Sequence, residues 1–256
     1  MNAADRQEMR ELLERIQIIE TDVAAAELID QLAASSKPTI VSFINQYGFN
    51  LACGDAGFRT SLARSDVLLR DGVGMEFSLW LAGLSPGLNT NGTDLIPRIL
   101  LASGGRRVML IGTRDPWLSR AVQRMGALGI VVVDAMDGFQ PLAAYVERVR
   151  SVQPDIVVLG MGMPHQERLA VDLARLPEAP GLIINGGAII DFHAERFPRA
   201  PLWMRRARLE WLFRLGQEPR RLAGRYLVGG PVFLFRAVQM RGRAVEPRRA
   251  AVGEGR

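Results

Sequence analysis

The sequence predicts an α/β fold: a Rossmann-like, mostly parallel sheet with helices on both faces, followed by a basic helical C-terminal appendage. Three observations predict it. Short apolar runs rich in Val, Ile and Leu recur along the chain. Segments with helical spacing stand between the later runs. After Phe192 the strand pattern stops and arginine takes over. Strands that read as unbroken apolar runs are buried on both faces, and helices on both sides of a parallel sheet are what bury them.

The elements follow in order. Residues 1–35 place Leu12, Leu13, Ile16 and Ile19 at helical spacing, and Thr21 stands as an N-cap before DVAAAELIDQLAAS. TIVSFIN (39–45) predicts the first strand, because its β-branched residues suit a buried pleat. SDVLLRDG (65–72), RRVMLIGT (106–113), GIVVVDAMDG (129–138), PDIVVLGMG (154–162) and GLIINGG (181–187) predict the others. Helices are expected over 116–126, 140–152 and 164–176. RAPLWMRRARLEWLFRL (199–215) predicts one amphipathic helix, and residues 218–243 hold an apolar segment broken by Gly-Gly-Pro between arginines. The expected organisation is a catalytic core over 1–195, an arginine-rich appendage over 196–244, and a disordered tail over 245–256.

Composition narrows the classes. At 48% hydrophobic and 23% charged residues, the chain is globular rather than disordered. Cys53 is the one cysteine, which excludes an intramolecular disulfide and fits a reducing cytoplasm. The start carries no apolar run, so no signal peptide is expected, and no window reaches the roughly 18 to 20 apolar residues that cross a bilayer. His165 and His193 are too few and wrongly spaced for a zinc cluster with one cysteine. There is no Walker loop and no Gly-x-Ser-x-Gly elbow, and DAMDG spaces its aspartates three apart, unlike a metal-holding Asp-x-Asp. The formal net charge is +5, yet the residues from Arg196 onward carry fifteen arginines against four glutamates. A basic end on a mildly acidic body predicts an anionic partner: a phospholipid surface, nucleic acid or a phosphorylated substrate.

In open parallel sheets ligands bind beyond the carboxyl ends of the strands. Asn45, Asp71, Gly112, Thr113, Gly138, Gly162, Gln166 and Asp191 all fall there. Gly112-Thr113 sits between a strand and a helix start, where free N–H groups attract an anion, although a tight turn needs the glycine in any case. LGMGMPHQERLA (159–170) resembles the dinucleotide fingerprint Gly-x-Gly-x-x-Gly, with Gln166 near the place of the third glycine. Gln166 reads either as a ligand contact or, with Glu167, as a helix cap. Asp71 reads either as a proton acceptor at the ligand edge or as the start of an Asp-Gly turn. From these residues alone, a nicotinamide-dependent Rossmann oxidoreductase and a basic nucleic-acid-binding protein stay open beside a transferase.

Nine motifs in order resemble the WecG/TagA/CpsF glycosyltransferase family (glycosyltransferase family 26). They are FIN with Asn45, DGVGM with Asp71, NGTDL (91–95), LIGT (110–113), DGF (137–139), PDIVVLGMGMPHQE (154–167), NGGAIIDF (185–192), RAPLWM (199–204) and LEWLFRLGQEPRRLAGRY (209–226). The resemblance implies inverting transfer of a sugar from a UDP-sugar to a polyprenyl-diphosphate-linked sugar acceptor. N-acetylmannosamine, its uronic acid and a hexose are the sugars it allows. It implies Asp71 as catalytic base. The expected substrate-binding set is Asn45, Asn91, Asp94, Gly112, Thr113, Gly138, Gly162, Gln166, Asp191, Arg214, Arg221 and Arg225. No cofactor and no metal are expected beyond the donor substrate, and no nucleic-acid partner. The chain departs from the family at Phe43, where threonine is common, and at Asn89, where arginine is common.

A lipid-linked acceptor stays at the bilayer, so the enzyme is expected in the cytoplasm, peripheral to the inner face of the membrane. Trp203, Trp211, Phe213, Phe233 and Phe235 are expected to enter an anionic interface while the arginines meet phosphates. The plainer reading packs the apolar face of 203–215 on the core and leaves the arginines solvated. An exposed apolar appendage also offers a surface to a second copy of the chain.

Overall fold

The computed structural model describes residues 2–240, apart from the side chains of Arg206 and Arg221. Residues 241–244 of the appendage and the expected 245–256 tail lie outside the described residues.

Each predicted apolar run forms a strand. These are β1 (Thr39–Ile44), β2 (Val67–Arg70), β3 (Val108–Gly112), β4 (Val132–Met136), β5 (Ile156–Gly160) and β6 (Leu182–Asn185). They make one six-stranded sheet in the order β2–β1–β6–β5–β3–β4, every pairing parallel. The architecture is therefore the Rossmann-like α/β class that the sequence predicts. With all strands pointing one way, all six carboxyl ends open on one edge of the sheet.

The strands read as unbroken apolar runs because both faces are covered. Val41 and Phe43 of β1 face one layer while Ile40 and Ile44 face the other; Val158 and Leu159 of β5 divide in the same way. One layer holds the helices Asp22–Ala33, Gly92–Ala102 and Trp117–Ala127. The other holds Ala3–Glu14, Gln46–Gly54, Ala56–Ala63, Gly72–Leu81, Leu142–Val152 and His165–Leu173. Thr21 caps as expected, its side chain accepting from the Ala24 N–H at 3.1 Å. Ser42 is the polar exception inside β1. It is fully buried, and its hydroxyl meets Ser65 Oγ at 2.7 Å and Asn185 Nδ2 at 2.8 Å.

The C-terminal segment differs from its predicted form in two places. The expected single helix over 199–215 is two, Leu202–Arg206 and Glu210–Gln217. Arg208 between them adopts φ 62°, a left-handed conformation that ends a helix, and its guanidinium pairs with Glu76 at 2.5 Å. Then follow Pro219–Ala223, a π-helical turn Gly224–Val228 and the helix Gly229–Gln239. Phe233, expected at the membrane interface, is instead buried. Its ring meets Phe49 edge-on, centroids 5.1 Å apart, and it joins Ala237 and Met240 in the core. The reason is periodicity: Phe233, Ala237 and Met240 share one helical face, which leaves Leu234, Phe235 and Val238 exposed on the other. Trp203 and Trp211 are exposed as well, and Phe213 is half-buried.

Candidate active site

A cleft of about 850 Å³ lies beyond the strand ends, roofed by the π-helical turn and its neighbours. Its floor depends on close approach. A Cβ on Gly112, at the end of β3, would stand 2.5 Å from the Gly160 carbonyl carbon of β5. One on Gly138, after β4, would stand 3.0 Å from Gly112 Cα. Only glycine permits three strand exits to crowd in this way. Gly138 N–H then donates to the Thr113 carbonyl at 2.9 Å and closes the turn.

Asp71 follows β2 and begins the helix Gly72–Leu81, but its carboxylate makes no capping hydrogen bond. The first N–H of that helix, on Gly72, donates instead to Asn89 Oδ1 at 3.0 Å. The Asp71 backbone N–H is held by the Ile44 carbonyl at 2.8 Å, and the half-buried side chain lines the cleft. Loss of water raises its pKa above the ordinary 3.8. Arg214 and Arg225 pull against that rise, Glu210 adds to it, and a hydrogen bond with Asn45 opposes it. The outcome is a carboxyl that holds its proton more tightly than a free aspartate.

Asn45 stands beside it at the exit of β1. Its Oδ1 accepts from the Tyr47 and Gly48 N–H groups at 3.0 Å each, which caps the helix Gln46–Gly54. The same oxygen accepts from Arg225 Nη2 at 3.0 Å, and that guanidinium lies 4.5 Å from the centre of the Tyr47 ring. Burial lowers the pKa of Arg225, but an arginine remains charged at any working pH. Arg214 stacks in the same manner over Phe192 at 4.5 Å. Two cations from the appendage thus sit against the wall that carries Asp71.

The opposite flank has its own polar group. Thr113, at φ 44°, donates its hydroxyl to Asp191 Oδ1 at 2.6 Å, and Arg196 Nη1 reaches the same oxygen at 3.1 Å. Arg196, which the sequence reading did not single out, lies over the Trp117 and Phe197 rings. Phe139 of the DGF motif is exposed at the cleft rim, with Arg114 4.9 Å from its ring centre; its place in a short motif carries no sign of this contact.

Of the expected site residues, Asn45, Asp71, Thr113, Gly138, Gly162, Gln166 and Asp191 reach the one cleft from the strand ends, and Arg214 and Arg225 reach it from the C-terminal segment. Gly112 is not in that lining; it is packed against Gly160 beneath it. Asn91 and Asp94 are not in that lining. Asn91 caps the helix Gly92–Ala102 through the Asp94 N–H at 3.0 Å, Asp94 pairs with Arg199 at 2.5 Å, and the intervening Gly92 and Thr93 face the cleft instead. The side chain of Arg221 lies outside the described residues. Phe43 puts an apolar ring on the cleft wall where the family commonly has threonine. Among the described residues no group of three or more His, Cys, Asp or Glu side chains is placed to hold a metal ion.

Gln166 and Glu167 do not cap their helix in the expected way; Pro164 precedes it without an N–H, and both side chains turn inward. Gln166 stands next to the place of the third glycine of a dinucleotide fingerprint, which His165 occupies, and uses its carbonyl on the Gly162 and Gly187 N–H groups at 3.1 and 3.0 Å. Glu167 is fully buried, and desolvation pushes its pKa up to about 7 against the hydrogen bond from Gln166.

Crowded glycine turns at the strand ends, a carboxylate left free of its helix, and two arginines beside it define a Rossmann-like fold with one polar, cation-bearing cleft. The sequence matches the Glycosyl transferase WecG/TagA/CpsF family over residues 12–246; the chain belongs to that family and is a glycosyltransferase. Its relatives include two enzymes named N-acetylglucosaminyldiphosphoundecaprenol N-acetyl-beta-D-mannosaminyltransferase. The one from Bacillus subtilis (strain 168) is 26% identical over 188 residues, covering 71% of this chain and 73% of the relative. The one from Bacillus spizizenii is 26% identical over 188 residues, covering 71% and 72%.

Glu167 makes stability depend on pH. The unfolded side chain releases its proton near 4.5 and the buried one near 7. Between those values the folded state keeps a proton that the unfolded chain has lost, so stability falls as pH rises through the window. Relative to Glu167→Gln, the parent is expected to lose about 2.5 kcal/mol of unfolding free energy between pH 5 and pH 8. Denaturant titrations at both pH values check this; parallel slopes for the two proteins contradict it.

Proposed function

We propose that the chain transfers N-acetylmannosamine, with inversion, from its UDP derivative to the sugar of a polyprenyl-diphosphate-linked acceptor, as a step in making a bacterial cell-envelope polysaccharide. N-acetylmannosamine is preferred to its uronic acid or a hexose because both relatives carry it in their names. The same names carry a diphosphoundecaprenol-linked acceptor.

One observation bears the chemistry: Asp71 is a cleft carboxylate of raised basicity with no capping duty. An acceptor hydroxyl oxygen attacks the anomeric carbon, its proton passes to Asp71, and the bond from that carbon to the UDP oxygen breaks on the opposite face. The leaving diphosphate takes the electron pair. Arg214 and Arg225 meet its charge, the planar guanidinium fork being suited to two phosphate oxygens at once. The strand-end turns at Gly138 and Gly162 line the cleft without side chains and leave the nucleotide diphosphate room to approach the backbone closely. Asp191, tied to Thr113 and Arg196, belongs to the donor side of the cleft.

The same reading makes the protein peripheral to the membrane that holds its acceptor. No helix among the described residues is long and apolar enough to cross a membrane. Trp203 and Phe235 are 64% and 66% exposed, in a segment dense in arginine. Apolar rings in the interface with guanidinium groups at the phosphates give a salt-sensitive hold on anionic lipid.

Asp71→Asn is expected to cut turnover at least a hundredfold, the worth of a positioned general base, and to leave the UDP dissociation constant within about threefold. Steady-state kinetics with calorimetric UDP binding reads both; turnover near the parent value excludes the role. For the membrane, replacing Trp203 and Phe235 together by serine in the full chain is expected to weaken binding to anionic vesicles about tenfold or more, because each buried aromatic contributes roughly 1.5–3 kcal/mol. High salt is expected to release the parent. Unchanged sedimentation of the doubly substituted protein contradicts the interface.

A further inference from the structure

Gln166 and Glu167 open the helix His165–Leu173, and both are buried, at 1% and 0% exposure. The Gln166 carbonyl oxygen joins two loops that the chain supplies separately. One is the exit of β5, through Gly162 N–H; the other is the exit of β6, through Gly187 N–H. Both glycines have positive φ, 80° and 59°, so these turns aim their N–H groups inward as a side chain-bearing residue would resist doing. Both also line the cleft.

An amide has two ends of similar shape and opposite polarity. Flipped, Gln166 would set its NH2 group against two N–H donors and lose both bonds. Its neighbour reinforces the same end from the other side of the amide. Gln166 Nε2 donates to Glu167 Oε1 at 2.8 Å, and an acceptor there can face only the NH2 end. The valence count then has a consequence. Both lone pairs of the Gln166 oxygen are spent on backbone N–H groups, and one of the two Nε2 hydrogens is spent on Glu167. What Gln166 has left for a ligand is a single donor hydrogen, which suits a phosphate or carbonyl oxygen.

We propose that Glu167 is a positioning residue for donor binding: by fixing the direction of the Gln166 amide it locks the β5 and β6 exit loops together and presents one N–H to the donor's oxygen. Glu167 does not line the cleft, and it acts there through Gln166, which does. The link to the donor rests on the nucleotide reading above; the lock between the loops does not.

The test uses the full-length chain with Glu167→Gln and Glu167→Met. Glutamine keeps an acceptor oxygen for the Gln166 amide, and methionine keeps the volume without one. Hydrogen exchange at Gly162 and Gly187 reads the lock with no ligand present, and UDP calorimetry with separate donor and acceptor KM values reads its consequence. For Glu167→Met, exchange at both glycines is expected to speed up, with UDP affinity falling and donor KM rising by on the order of tenfold, the worth of one hydrogen bond. Acceptor KM is expected to hold. Glu167→Gln is expected to stay within about threefold of the parent on every measure, a rescue that a purely structural loss would not show. Unchanged exchange and donor KM in Glu167→Met overturn the proposal. So does a Glu167→Gln variant as impaired as a disrupted one, which decides the matter even if methionine prevents folding. If the parent ignores UDP while exchange at the glycines follows the expected pattern, the nucleotide reading fails and the lock stands.

Discussion

Asp71 starts a helix without serving it. An aspartate in that position normally turns its carboxylate to the first N–H groups, which satisfies the helix end and lowers the acid's pKa. Here the Gly72 N–H goes to Asn89 and the carboxylate faces the cleft, short of water and opposed by two arginines. Those influences conflict, and the conflict is what gives the group its character. Burial alone would favour a neutral acid, while the guanidinium groups alone would give a weak base. Together they leave an ionisable carboxyl of raised basicity beside the cations that a departing diphosphate needs.

The cations arrive because one helix of the core serves as a dock. Gln46–Gly54 meets the appendage along its length. Its cap Asn45 holds Arg225, Tyr47 stacks on the same guanidinium, and Phe49 packs on Phe233. Asn50 Nδ2 donates to the Gly229 carbonyl at 2.7 Å, and Arg236 donates to the Asn50 carbonyl at 2.7 Å. Apolar burial therefore anchors the last helix, and polar contacts around it set where the arginines stand. The mixture of aromatic and basic residues near the C-terminus follows from this division. One face of Gly229–Gln239 is core and the other is outward, while Arg214 and Arg225, which precede it in the chain, line the cleft.

How much of this was legible in the sequence depended on the range of the interaction. The strands were legible because burial on both faces leaves a continuous apolar run, and parallel strands with helical crossovers follow from the alternation. Asp71, Asn45 and Arg225 were legible as motif positions, but not their mutual contact, since residues 45 and 225 meet only through tertiary packing. Phe233 misled because a composition rich in Phe and Arg does not say which helical face turns inward. The break at Arg208 was not legible, because its left-handed backbone lies within an apparently regular helical pattern and its partner Glu76 is distant in sequence. The inward turn of Glu167 had no local signature either. Its HQE context suits a cap, and only the folded loops supply the partner that draws Gln166 away.

The claim that all of this serves is electrostatic: Asp71 is held as an ionisable, undercommitted base between desolvation and two arginines. Carbon-detected NMR titration of the Asp71 carboxyl, in the ligand-free chain and in Arg225→Gln, tests it most directly. The account predicts a midpoint above 3.8 in the parent and a further rise when Arg225 loses its charge, because that charge opposes protonation. A midpoint at or below 3.8, or one indifferent to Arg225→Gln, contradicts it.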